Sequence, residues 1–144
     1  MAEETLPDQL DISIKPELYF PTPIFWFSVV ITPLFGGILL MMNLRRLDKP
    51  KQATQVLLIS LLMTALLLTV LTYFDIDNRI LQWSYNILCG FILSNLLYKK
   101  HIPNAEEYPK RSVIVPLIIA VFIIVSLGLL LFWAQDQLSY QQYP

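Results

Sequence analysis

The sequence predicts an all-α integral membrane protein, a bundle of four transmembrane helices with both termini on the outer, non-cytoplasmic side. Hydrophobic residues make up 56% of the 144 residues and charged residues only 15%, whereas a soluble domain is usually about a quarter charged. The charges also cluster, so that four long stretches carry none. A chain of this length is expected to form one membrane domain.

The four charge-free stretches define the predicted spans. The first separates Glu17 from Arg45 and holds 27 residues, and the following three hold 23, 19 and 24. Each can supply the roughly 20 apolar residues that cross a hydrocarbon core about 30 Å thick, and a helix pairs its own backbone groups there. We predict spans near residues 24–42, 53–74, 80–98 and 113–134, an outer N-terminal tail at 1–23 and an outer C-terminal tail at 135–144.

Basic residues set the predicted orientation. The loops after the first and third spans contain eight of the ten basic residues, namely Arg45, Arg46, Lys49, Lys51, Lys99, Lys100, Lys110 and Arg111. Lysine and arginine in short loops stay in the cytoplasm, so these loops are predicted inside, with Lys15 and Arg79 outside. Trp26, Trp83 and Trp133 fall at predicted outer span ends, where indole rings favour the headgroup boundary.

Small and polar residues form two stripes at four-residue spacing, one in the first span and one in the third. The members are Ser28, Thr32 and Gly36 with Gly37 beside them, and Gln82, Asn86, Gly90 and Ser94. Such residues let helix backbones approach and hydrogen-bond across an interface. We predict that both stripes face the bundle interior and meet each other. The alternative is that the Gln82–Asn86 face meets another protein.

Pro33 interrupts the hydrogen bonding of the first span, and we predict a kink there. A kink can serve a gate, although most such kinks only shape the helix. Cys89 is the single cysteine, so the chain cannot form an intramolecular disulfide, and we expect this thiol to pack as a small hydrophobic group.

The sequence contains no recognisable reaction centre. The central parts of the predicted spans lack charged residues and histidine, which usually mark ion pathways and proton relays. His101 is the only histidine, so paired haem ligands are excluded. His101 with Glu106 and Glu107 is the nearest approach to a zinc site, and we interpret these as solvated loop residues. We predict no catalytic residues, no metal, no cofactor and no nucleic-acid partner.

Two segments carry a family resemblance. The first contains Tyr19–Pro23, Pro33–Gly37 and Asn43–Leu47, and the second contains Tyr98–Pro103, Glu107–Ser112 and Pro116–Ile118. Together they resemble a group of small multi-pass bacterial membrane proteins of unassigned function. The resemblance covers under half of the chain and implies a location in the bacterial inner (cytoplasmic) membrane. It implies no activity.

The functional expectation follows from the absence of reactive groups. We expect a non-enzymatic accessory, scaffold or assembly subunit of a larger membrane complex, whose partners are other membrane subunits and the anionic headgroups of lipids at the basic loops. The alternative is a small transporter or a protein that binds lipids or small molecules, using the kinked first helix and the polar third helix. A third possibility is a membrane enzyme whose reactive groups come from a partner.

Overall fold

The computed structural model describes residues 15–73 and 79–141, with side chains described as far as Ala134. This part contains the α-helices α1 (Pro21–Val30), α2 (Pro33–Arg46), α3 (Pro50–Tyr73), α4 (Arg79–Phe91), α5 (Tyr98–His101) and α6 (Ile114–Gln141). A π-helical segment, Ile92–Leu97, joins α4 to α5, and a short 3-10 helix spans Ala105–Glu107. The described residues contain no strand, which confirms the all-α class. Most of the predicted tails, residues 1–14 and 142–144, lies outside the described residues.

Three helices are long and apolar enough to cross a membrane: Pro50–Tyr73, Arg79–His101 and Ile114–Ala134. They coincide with the spans predicted at 53–74, 80–98 and 113–134. The 24 residues of α3 extend about 36 Å at 1.5 Å per residue, enough for a hydrocarbon core of about 30 Å. The chain therefore has the helices of a membrane protein.

The first predicted span is a helical hairpin and not a single crossing. α1 ends at Val30, and α2 begins at Pro33 and runs back beside it. The close approach of Gly36 to Ser28 and Ile24 shows the reversal, because residues eight apart in one continuous helix would be about 12 Å apart along its axis. A single helix over residues 24–42 was therefore the wrong prediction.

The turn between α1 and α2 has a local cause. Thr32 is fully extended, with φ −162° and ψ 157°, because a residue that precedes proline is pushed out of the helical region. Pro33 then occupies the first turn of α2, where its missing N–H is not needed. Across the turn the rings of Phe27 and Phe35 stack with their centroids 5.5 Å apart.

The hairpin enters the bundle only part of the way. The 10 residues of α1 extend about 15 Å, half the thickness of a hydrocarbon core. At the tip, the N–H of Leu34 donates to Oγ1 of Thr64 at 3.1 Å. Thr64 lies about 21 Å along α3 from its first residue, Pro50, so the tip reaches the level of the apolar middle of α3.

The helices lie in the order α3, α2, α1, α4, with the hairpin in the middle. Glycines permit the close contacts. A Cβ on Gly37 would collide with Ser60 of α3, and a Cβ on Gly90 would lie 3.2 Å from the Phe25 carbonyl oxygen and 3.3 Å from Cβ of Ser28. The hairpin is thus held between two of the long helices.

The turn between α2 and α3 is closed by backbone hydrogen bonds. The N–H of Lys49 donates to the Leu44 carbonyl at 2.9 Å and that of Asp48 to the Arg45 carbonyl at 3.2 Å, the Schellman arrangement of a helix C-terminus. Asp48 has φ 53°, a left-handed conformation that aspartate tolerates better than most residues. This turn keeps α2 and α3 antiparallel and places their basic residues at one end.

α6 stands apart from the other helices. No helix packs along it in the described structure, and only Pro116 and Ala120 near its start are buried. The side chains from Val121 to Ala134 are exposed or, at Ser126, partly exposed. Over its described side chains, as far as Ala134, α6 therefore contacts the bundle only near its first residues.

Replacement of Thr64 by valine is predicted to destabilise the hairpin, because the Leu34 N–H loses its acceptor inside the bundle. Hydrogen bonds between helices in membranes contribute about 0.6 kcal/mol on average and at most about 1.7 kcal/mol, so the free energy of unfolding should fall by about that amount. Equilibrium unfolding in mixed detergent micelles measures the change.

Thr69→Val is the matched control, because the Thr69 hydroxyl donates only to the Ala65 carbonyl of its own helix, at 2.9 Å, and is exposed. An equal loss of stability in both variants would contradict the role assigned to Thr64.

Candidate functional site

The segment before α1 lies against the loop before α6. The N–H of Leu18 donates to the Pro109 carbonyl at 3.0 Å, and the N–H of Arg111 donates to the Leu18 carbonyl at 2.9 Å. Lys15 forms an ion pair with Glu107 at 2.9 Å. The sequence placed Lys15 and the loop containing Arg111 on opposite sides of the membrane. The structure corrects this, because both lie at the same end of the bundle.

Asn43 fixes this segment to the hairpin. Its Oδ1 accepts from the Tyr19 N–H at 2.8 Å, and its Nδ2 donates to the Tyr19 carbonyl at 2.6 Å. Asn43 is fully buried and Tyr19 is 1% exposed, so the amide replaces the backbone partner that a buried extended residue requires. The entry to α1 is therefore attached to the end of α2.

The resulting surface, which we call the basic end, contains nine of the ten basic residues of the chain: Lys15, Arg45, Arg46, Lys49, Lys51, Lys99, Lys100, Lys110 and Arg111. Arg79, at the start of α4, is the exception. Nζ of Lys49 donates to the His101 carbonyl at 2.8 Å, which joins the turn after α2 to the end of α5. Within the described residues the only ion pair is Lys15–Glu107, so most of this positive charge is not neutralised by a close carboxylate.

Two of these cations lie over aromatic rings of the residues that directly precede α1. Nζ of Lys110 lies 5.0 Å from the centre of the Phe20 ring, and the Arg111 guanidinium lies 4.8 Å from that of Tyr19. Both distances are within the range of cation–π attraction. Nη1 of Arg111 is buried and has no hydrogen-bond acceptor among the described residues. This guanidinium is partly desolvated, and no carboxylate among residues 15–73 and 79–134 forms an ion pair with it.

The predicted small-residue and polar stripes come together at the hairpin, in an arrangement different from the predicted one. Ser28, Gly36, Gly37, Asn86, Gly90 and Ser94 are buried, Thr32 is partly buried and Gln82 is exposed. Ser28 and Gly36 face each other across the hairpin, because the chain turns between them. Gly90 of the second stripe lies against Ser28. Pro33 begins the returning helix α2.

The polar groups at the hairpin tip are enclosed. Nδ2 of Asn86 donates to the Val29 carbonyl at 3.3 Å, and the Ser28 hydroxyl donates to the Ile24 carbonyl at 2.7 Å. Ser28 and Ser60 are 0% exposed, and Asn86 is 4% exposed. In this conformation Ser28 and Asn86 donate to the backbone of α1, and Ser60 donates to the Leu57 carbonyl of its own helix. These three side chains do not line an open path.

An apolar cleft lies beside the hairpin, between α1 and α6. It has a volume of about 140 Å³ and is lined by Trp26, Phe27, Val30, Ile31 and Leu117. Trp26 is 57% exposed in the middle of α1, between the basic end and the tip. The expectation that Trp26 sits at the end of a span was wrong, because it lies in the middle of the short helix α1. Trp83 lies near the start of α4, and Trp133 lies near the end of the candidate span Ile114–Ala134. Both positions are distant from the basic end.

The described residues contain no group of three or more His, Cys, Asp or Glu side chains that could hold a metal ion. Comparison of the chain with protein-family models, with curated proteins and with solved structures finds no match.

Sequence reasoning missed the side chains that hold the hairpin. Thr64 and Asn43 look ordinary in an apolar helix, and each has its role only because the chain folds back. Two features of the sequence do indicate the hairpin. Thr32 precedes Pro33 and is therefore expected to be extended, and Lys15 is a basic residue in a segment that was predicted to lie outside.

Asn43→Leu is predicted to release residues 15–20, because the Tyr19 N–H and carbonyl would both be buried without partners. An unsatisfied buried polar group costs about 1–3 kcal/mol, so the variant should lose about 2–6 kcal/mol or expose the segment to solvent. Hydrogen exchange of the Tyr19 and Leu18 amides, followed by mass spectrometry, measures the release. Leu61→Ala on the exposed side of α3 is the control, and unchanged protection in Asn43→Leu would contradict the assignment.

Proposed function

We propose that this chain is a non-enzymatic subunit of a larger membrane assembly and that α6 is its docking helix. α6 contributes little to the bundle of its own chain, whereas every other long helix packs against a neighbour. Contact between packed helices, more than hydrophobicity, drives association within a bilayer. A partner helix would supply the packing that α6 lacks here, and this is the observation on which the proposal rests.

The proposed topology has three crossings and one hairpin that enters from the basic end and returns to it. The basic end faces the cytoplasm, because nine of the ten Lys and Arg residues lie there and such residues are retained inside. Residues 15–20 are then cytoplasmic, and α6 runs from the cytoplasmic side to the outer side. A bacterial cytoplasmic membrane is the proposed location.

Transport is the less favoured function. It was predicted from a kinked first helix and a polar third helix. In the structure the first of these helices is a hairpin, and the polar side chain of Asn86 is enclosed and donates to its backbone. Both features therefore stabilise the fold. The open surface of α6 favours a subunit over a carrier.

Gly128 offers a direct test of docking through α6. A Cβ added at Gly128 would meet nothing within 4 Å, so Gly128→Leu leaves the packing of the chain itself intact. A side chain forced into a packed helix interface costs about 1–3 kcal/mol, which is a loss of about fivefold or more in affinity. We expect wild-type chain purified in mild detergent to bring a stoichiometric membrane partner, and Gly128→Leu to lose it.

The matched control is Ala65→Leu, which adds bulk to an exposed position of α3 and should retain the partner. Recovery of the folded chain alone from native membranes would contradict the proposal. Equal partner recovery with wild type and Gly128→Leu would show that α6 is not the docking helix.

A further inference from the structure

Near the starts of α1 and α6, an apolar cleft lies close to Lys110 and Arg111, two cations that form no ion pair within the described part of the chain. We propose that the cleft between α1 and α6 binds one acyl chain of an anionic phospholipid, whose phosphate is held by Lys110 and Arg111. This lipid site belongs to the chain on its own and does not depend on the proposed docking of α6.

The cleft suits an acyl chain by composition. Its lining side chains, Trp26, Phe27, Val30, Ile31 and Leu117, are all apolar. A surface without polar groups offers water no hydrogen-bond partner, so an apolar molecule is favoured there over water. The exposed fractions of Trp26, 57%, and Val30, 59%, show that the cleft is open at the surface of the protein.

The distance between the two cations and the cleft suits a lipid whose phosphate binds the cations and whose acyl chain enters the cleft. Lys110 contacts Phe20, one residue before α1, and Arg111 precedes α6 by three residues. Leu117 lies about 5 Å along α6 from Ile114, and Trp26 about 8 Å along α1 from Pro21. A lipid with its phosphate beside Lys110 and Arg111 would therefore place the start of an acyl chain at the cleft.

Lys110 and Arg111 are not neutralised by a carboxylate that the structure describes. Glu107 is paired with Lys15, and among the described residues no carboxylate forms an ion pair with Lys110 or Arg111. Nη1 of Arg111 is buried without an acceptor in the same part of the chain, and a partly desolvated cation attracts an anion more strongly than a hydrated one does. By contrast, the larger cavity that Lys99 lines also contains Glu106, which opposes an anionic headgroup.

Trp26 reports directly on this site. A Trp83→Phe, Trp133→Phe protein keeps Trp26 as its only tryptophan. It is reconstituted without partner in phosphatidylcholine vesicles that contain phosphatidylglycerol, and either the phosphatidylglycerol or an equal mole fraction of the phosphatidylcholine carries brominated acyl chains. Bromine quenches tryptophan fluorescence only on contact, so the two quenching curves compare the occupancy of the cleft by each lipid.

We expect brominated phosphatidylglycerol to quench Trp26 more strongly, with a preference of about fivefold for each contributing cation at low salt. Lys110→Gln with Arg111→Gln should abolish the preference, and Lys110→Gln alone should reduce it. Lys99→Gln with Lys100→Gln, which removes as much charge from another part of the basic end, should retain it. A protein that keeps only Trp133 should show equal quenching by both lipids.

Equal quenching of Trp26 by the two lipids in the protein with intact Lys110 and Arg111 would overturn the proposal, and this comparison needs no substitution in the lipid site itself. A preference that survives the loss of Lys110 and Arg111, or that disappears equally with Lys99 and Lys100, would also overturn it, because the charge would then act through the whole surface. None of these results depends on whether a protein partner docks on α6.

Discussion

The fold depends on satisfying the backbone hydrogen-bonding groups of a turn that lies inside the bundle. Water is absent from a hydrocarbon core, so each unpaired N–H or carbonyl there costs several kcal/mol. The chain solves this at the hairpin tip with Thr64 for the Leu34 N–H and Asn86 for the Val29 carbonyl. Pro33 removes one donor that would otherwise need a partner. These side chains reach the backbone because Gly37 and Gly90 let the helices approach.

The reversal of the hairpin determines the distribution of charge. Because α2 returns to the level at which α1 begins, Asn43 meets Tyr19, and the extended segment beside it pairs with the loop before α6. The basic residues of four separate segments then share one end of the bundle. That concentration of charge supports the proposed cytoplasmic orientation and provides the cations for the proposed lipid. The turn at Thr32 thus determines the fold of the hairpin, and both the proposed topology and the proposed lipid site follow from it.

The three long helices could be predicted from the sequence because a span requires only length and the absence of charge. The hairpin could not be predicted by the same reasoning. A stretch of 27 uncharged residues is long enough for one crossing or for two short helices, and hydrophobicity does not distinguish them. What distinguishes them is pairing between distant residues, such as Asn43 with Tyr19, which has no local signature. The isolation of α6 was equally hidden, since its apolar surface would look the same if it were packed.

Two chemical cross-linking pairs test the hairpin topology most directly. In a Cys89→Ser background, which removes the only native cysteine, one protein carries Lys15→Cys with Glu107→Cys and the other carries Lys15→Cys with Arg79→Cys. The first pair replaces an exposed ion pair, which contributes little to stability.

A short bismaleimide applied to native membranes should link the two introduced thiols of the first protein and leave those of the second unlinked. An impermeant thiol reagent should label the introduced thiols of the first protein from the same side of the membrane and those of the second from opposite sides. Absence of the link in the first protein, with both introduced thiols of the second labelled from the same side, would contradict the hairpin and restore four crossings.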